Sequence, residues 1–194
     1  MTYTAKTFAL PPLSGISPEQ IAVHLKLYEG YVTHTNKIAT MLAASRDGSA
    51  PLDTYAEAEL RRRFAFEFCG MRLHEYYFEQ FGNGAKELDT TSNLAQHATA
   101  KYGSVDAFKA HIKTVAGTRG IGWVIVTHDS VLDTLHTTFV ADHELGNLAG
   151  LPVILALDLW EHAYMVDRVP AQKLDYVDAF FANLNWDVVE KRLP

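Results

Sequence analysis

The segment Asp158-Leu159-Trp160-Glu161-His162-Ala163-Tyr164 puts a carboxylate and an imidazole four residues apart, directly behind the apolar run Pro152–Leu157. A strand that ends at Asp158 and then turns can bring both side chains to one point. Burying two acids and an imidazole beside Trp160 is costly unless they are ion-paired or bound to a metal. Alone, the segment reads equally well as a salt-bridged loop. Two further imidazoles, His24 in AVHLKLYEGYV and His74 in MRLHEYYFEQF, lie among residues that should face a core. A lone helical histidine is more often a satisfied core residue than a ligand, and neither helix by itself indicates a metal. Cys69 lies in FAFEFCGM, where a buried, inert thiol is expected. As the single cysteine, it excludes a disulfide within the chain and fits a reducing, cytoplasmic compartment.

The elements that must position these groups can be read from caps, periodicity and turn residues. Residues 1–16 form an extended arm interrupted by Pro11-Pro12 and Gly15. Ser17-Pro18-Glu19-Gln20 starts a helix, with Ser17 as cap, Pro18 in the first turn and Gln20 placed for a capping box. This helix should run to about Ala43, with Val23, Leu27, Tyr31 and Ile38 on its apolar stripe. After the loop SRDGSAPL, a second helix begins near Asp53 or Thr54. It ends near Phe81, where Gly82 can stop it. The pair predicts an antiparallel helical hairpin. Residues 82–92 read as a linker, and residues 93–117 as shorter helices. Strands are expected over Gly122–His128, Val131–Val140 and Pro152–Leu157, the first two joined by a turn at Asp129-Ser130. The tail returns to helix from Ala171, with Tyr176, Phe180 and Phe181 on an apolar face. The predicted class is α+β: a helical-hairpin domain over 1–88, then an α/β domain over 89–194 with a small three-stranded antiparallel sheet and flanking helices.

Composition narrows the function. The 194 residues are 48% hydrophobic, enough to build a sizeable core. The net charge is −6 and no basic run exceeds Arg61-Arg62-Arg63, which argues against nucleic acid as a partner. The longest apolar run, Leu151–Leu157, is too short to span a bilayer, so no membrane partner is expected. The N-terminal MTYTAKTFALPPL lacks the pattern of a secretory signal.

Taken together, the motifs resemble the iron/manganese superoxide dismutase family. The resemblance runs through FALPPL, His24 and Tyr31, His74 with its following aromatics, Gly120-Ile121-Gly122-Trp123, the Asp158–Tyr164 segment, and Asn185-Trp186. It implies that His24, His74, Asp158 and His162 hold one iron or manganese ion per subunit, the two helical histidines from one half and the other two ligands from the sheet half. Three imidazoles and one carboxylate suit these metals better than a closed structural zinc site, which commonly uses thiolates. The implied activity is conversion of superoxide to dioxygen and hydrogen peroxide, with the metal alternating between the 3+ and 2+ states. Coupling each electron to one proton leaves the charge of the buried site unchanged.

The resemblance also assigns surrounding residues. Tyr31 matches a gateway tyrosine beside the open coordination position. The side chain that tunes the bound solvent, often a glutamine, comes from one of two places. At one of them stands Gly70, which should leave the space open. At the other, the stretch Asp142-His143-Glu144-Leu145, His143 is the candidate, with a surface-loop histidine as its alternative. Trp123 and Trp160 belong to the pocket surroundings. Glu161 matches a residue that reaches the partner subunit's metal-binding histidine, implying a homodimer, with a tetramer as the alternative. Four departures stand out. His24 and Tyr31 are seven residues apart, where eight is common, which points to a regular helix instead of one with a bulge. No histidine falls between them; Leu27 and Tyr28 occupy that region. Met165 follows Tyr164 where a second tyrosine is usual, and Ile121 stands where a tryptophan walls the metal pocket. Two other readings exist on the same fold: a non-haem iron enzyme of other chemistry, opposed by the count of four ligands, and a metal-free interaction module, opposed by the presence of all four.

Overall fold

Ser17 and Pro18 start the first helix as their chemistry dictates. The structure, a computed structural model describing residues 2–194, has α1 over Pro18–Arg46, with the Ser17 hydroxyl accepting from the Gln20 amide at 3.0 Å. The expected capping box does not close. The Gln20 side chain is committed elsewhere, and the Ser17 N–H donates to Asp167 at 2.7 Å. α2 covers Thr54–Glu79, capped by the Asp53 carboxylate, and ends two residues before Phe81. There the amides of Phe81 and Gly82 fold back as single turns onto Phe78 and Glu79.

The buried stripe of α1 is Gln20, His24, Tyr28, Val32, Thr35 and Ile38. Val23 and Leu27, expected on that stripe, are each 40% exposed. Ile38 is buried as expected and Tyr31 half-buried, but three of the six buried residues are polar, so apolar periodicity located the face only in part. The helix itself is unbroken, with no bulge between His24 and Tyr31.

The second half packs two short helices, α3 (Asn93–Tyr102) and α4 (Val105–Ala116), against a sheet of β1 (Gly122–Asp129), β2 (Thr134–Ala141) and β3 (Val153–Asp158). The order is β2-β1-β3, antiparallel throughout, so β1 is central, and its residues 122–128 are all buried. β2 begins three residues later than its β-branched composition suggests. The Asp129 carboxylate accepts from the Val131 and Leu132 amides at 2.9 and 3.4 Å, Asp133 turns with φ 50°, and Val131 and Leu132 project outward, 88% and 72% exposed. Two short helices, α5 (Lys173–Asn183) and α6 (Trp186–Glu190), close the chain. The α+β class read from the sequence is the fold observed. No described helix is long and apolar enough to cross a membrane.

One hydrophobic core joins the two halves. Tyr77, Phe78 and Phe81 of the hairpin pack in the same cluster as Trp123 and Phe180. The outer edge of β3 needs a partner for its backbone. Buried Gln80 supplies one: its amide donates to the Ala156 carbonyl at 2.8 Å and accepts from the Ala156 N–H at 2.9 Å. This clamp fixes the end of α2 to the strand that carries Asp158.

Candidate metal centre

Four elements converge at the junction of the halves. α1 and α2 present His24 and His74 from facing stripes. Asp158 is the last residue of β3, paired in register with Trp123. His162 follows in a single 3-10 turn, Glu161–Ala163. The side chains of His24, His74 and Asp158 are fully buried, and that of His162 is 13% exposed. Asp158 Oδ2 lies 2.9 Å from His24 Nε2, 3.2 Å from His162 Nε2 and 3.5 Å from His74 Nε2; the Nε2 atoms of His74 and His162 are 3.3 Å apart. All four donor atoms lie within 4.8 Å of one another.

These separations fit an ion. Donors about 2.1 Å from a common centre stand about 3.0 Å apart at a right angle and about 3.6 Å apart at 120°. Protonation also fits. Burial drives the His24 imidazole below its ordinary pKa, and the His74 imidazole well below, so both offer lone pairs. Burial alone would raise the Asp158 carboxyl, but the facing imidazoles of His162 and then His24 hold it far below the carboxylate range. The result is one buried anion facing three imidazole nitrogens. Such a cluster is able to hold a metal ion.

Supporting contacts aim the donors. His74 Nδ1–H donates to the Gly70 carbonyl at 2.6 Å, leaving Nε2 unprotonated toward the cluster. Asp158 Oδ1 accepts from the Trp160 amide at 2.8 Å, which directs Oδ2 at the imidazoles. Gln20, one turn before His24, donates to the His162 carbonyl at 2.5 Å and accepts from the Val166 N–H at 2.9 Å. It ties the His162 turn to α1. Sequence reading missed this role, although the spacing 20, 24, 28 marks one helix face.

A second layer runs through His143, which is fully buried and therefore no surface-loop residue. The turn after β2 folds it inward: Asp142 has φ 52°, and Ala141 and Leu145 pair through both backbone hydrogen bonds, at 2.8 and 3.2 Å. The Trp123 indole N–H donates to His143 Nδ1 at 3.0 Å. Burial lowers the imidazole to about 4, so it is neutral and carries its proton on Nε2. That proton points at Tyr31 Oη, 2.8 Å away. Trp160 stacks on His143 with rings 4.8 Å apart and 16° off parallel, and Phe66 meets it edge-on at 4.6 Å. Phe66 was not anticipated from the sequence. Tyr31 and Trp160 also line an outer hollow of about 650 Å³ with His34, Lys37 and Arg63.

The matching family model, iron/manganese superoxide dismutases, C-terminal domain, covers residues 90–192. The chain is 36% identical to a superoxide dismutase [Fe] of Aquifex aeolicus over 93% of this chain and 85% of that one. It is 32% identical to a superoxide dismutase [Mn] of Haloarcula marismortui over 92% and 89%. A superoxide dismutase [Fe] of Saccharolobus solfataricus matches at 30% over 97% and 94%. The chain belongs to the iron/manganese superoxide dismutase family.

Two expectations drawn from that family need correction. The space beside Gly70 is not open: a Cβ there would stand 2.6 Å from Tyr31 Cδ1, so the ring of the gateway tyrosine fills it. Ile121 does not wall the pocket. It is half-buried in a separate surface hollow with Arg119, Leu159 and Lys173, and the indoles beside the cluster are Trp123 and Trp160. Glu161 is exposed on the isolated chain. Of the residues in the missing-histidine interval, Leu27 reaches the outer hollow, while Tyr28 is buried and donates to Glu75 at 3.1 Å.

Proposed function

We propose that this chain is a superoxide dismutase whose one iron or manganese ion is held by His24, His74, Asp158 and His162. The observation that carries this assignment is Asp158 Oδ2 set among three imidazole Nε2 atoms in a nearly solvent-free junction. Bound there, the metal would supply one-electron chemistry, oxidising one superoxide to dioxygen and reducing a second, with two protons, to hydrogen peroxide.

The chain's own groups do the rest. Asp158 offsets one unit of metal charge and leaves the centre attractive to a small anion. Tyr31 keeps its proton at Oη, because burial pushes its phenol far up. His143 fixes Tyr31 Oη through Nε2–H, and Trp123 fixes the tautomer of His143. Trp160, stacked on His143 and His162, excludes water from one flank. Lys37 in the outer hollow favours approach of the anion, while Arg63 there is paired with Glu67 at 2.8 Å. Gly70 serves by making room for the Tyr31 ring.

The ligands come from both parts of the chain, a helical-hairpin domain over 1–88 and an α/β domain over 89–194, so the metal clamps the two. Exposed Glu161 fits the family's homodimer, in which it would reach the metal-binding histidine of the second copy. Val23, Leu27, Met165 and Val166, each 40–42% exposed, would be covered in that dimer. A reducing compartment, the cytoplasm, suits the lone Cys69, whose thiol burial pushes up. Metal analysis of the purified protein, followed by a superoxide disproportionation assay, tests the reading. Near-stoichiometric iron or manganese with activity supports it, and a metal-free, inactive protein contradicts it.

A further inference from the structure

A second group of metal-type donors lies at the opposite end of β1. His97 comes from α3, His128 from the penultimate residue of β1, and Asp133 from the hairpin turn before β2. Their donor atoms lie within 4.8 Å of one another. Asp133 Oδ1 is 3.0 Å from His128 Nε2 and 3.6 Å from His97 Nε2. The first distance is a hydrogen bond; the second is too long for one. Two imidazoles therefore converge on a single carboxylate oxygen that only one of them can engage. A cation between the three satisfies both.

The donors sit on well-fixed elements. α3 is bound to β2 by Lys101 Nζ, which donates to the Leu135 carbonyl, and by the Tyr102–Thr137 hydroxyl pair at 2.9 Å. His128 is buried in the central strand, and the imidazole rings of His97 and His128 are 5.2 Å apart. Asp133 is 75% exposed, so the cluster opens to solvent on that side. The position is remote from the first centre. Trp123 pairs with Asp158, and His128 lies five residues further along an extended strand, about 17 Å away.

We propose that His97, His128 and Asp133 form a second metal site that binds a divalent transition ion such as zinc(II). Two imidazoles and one carboxylate suit zinc, cobalt or nickel, and they leave at least one position for water. The site would pin α3 to the tip of the β1–β2 hairpin and take no part in the chemistry at the first centre.

The test uses protein already loaded with iron or manganese at the first centre, titrated with zinc(II) by calorimetry and with cobalt(II) by visible absorption. Wild type should take up one equivalent beyond the resident ion and melt at a higher temperature in its presence. His97→Ala and Asp133→Asn should each weaken this uptake by at least about tenfold, with dismutase activity and resident metal unchanged. Asparagine tolerates the positive φ at position 133, so that variant retains the turn. Absence of a second equivalent in wild type overturns the proposal. So does uptake by both variants equal to wild type.

Discussion

Gly70→Ala probes the fit between α1 and α2 beside the metal centre. The new Cβ would lie 2.6, 2.8 and 3.0 Å from Cδ1, Cε1 and Cγ of Tyr31, where ordinary carbon contacts begin near about 3.5 Å. The ring must retreat by about 1 Å, carrying Oη away from His143. Overpacking of this kind costs about 2–3 kcal/mol, while alanine gains about 1 kcal/mol over glycine inside a helix. The net expected destabilisation is about 1–2 kcal/mol. In a Tyr31→Ala background the obstacle is gone, so the same change should stabilise by about 1 kcal/mol. The coupling between the two positions is then about 2–3 kcal/mol. Gly30→Ala is the control, because a Cβ there meets nothing within 4 Å, and it should stabilise in both backgrounds. Urea denaturation of metal-free protein removes the contribution of metal binding. If Gly70→Ala has the same effect with and without the Tyr31 ring, the reasoning fails.

Three further outcomes follow from buried hydrogen bonds and a buried phenol. Gln80→Met keeps the volume but strands the Ala156 N–H and carbonyl, and should cost about 2–4 kcal/mol in denaturant unfolding; a cost under about 0.5 kcal/mol would show that the edge of β3 is satisfied otherwise. Gln20→Ala frees the His162 turn from α1 and should speed loss of the resident metal to a chelator by about tenfold; an unchanged rate would remove Gln20 from the positioning of His162. Burial, and then the neighbouring Tyr77, push the Tyr176 phenol well up. The folded state therefore keeps a proton that the unfolded chain releases near about pH 10. Its contribution to stability is full below that pH and declines as pH rises above it. Tyr176→Phe should flatten that alkaline decline, and an unaltered pH profile would assign the decline to other groups.

The helix starts were legible because caps are local: Ser17 and Asp53 act within three residues of themselves. The three strands were legible from β-branched runs, but the start of β2 was not. Val131 and Leu132 have strand composition, yet the Asp129 carboxylate holds them in the turn. The buried face of α1 was hidden because it carries Gln20, His24 and Thr35, whose partners lie on other elements. Asp158 and His162 were conspicuous by their spacing behind a strand, and they do converge. The roles of Gly70, Gln20 and Phe66 depend on how closely α1, α2 and the His162 turn approach, a property of packing that no single segment encodes.

The central claim is the location of the metal. Anomalous diffraction from crystals of the purified protein, recorded on both sides of the iron and manganese edges, tests it directly. The expected result is one strong peak per chain between His24, His74, Asp158 and His162, about 2.1 Å from the nearest donor of each. A peak bound by any other residues, with this junction empty in active protein, would contradict the assignment.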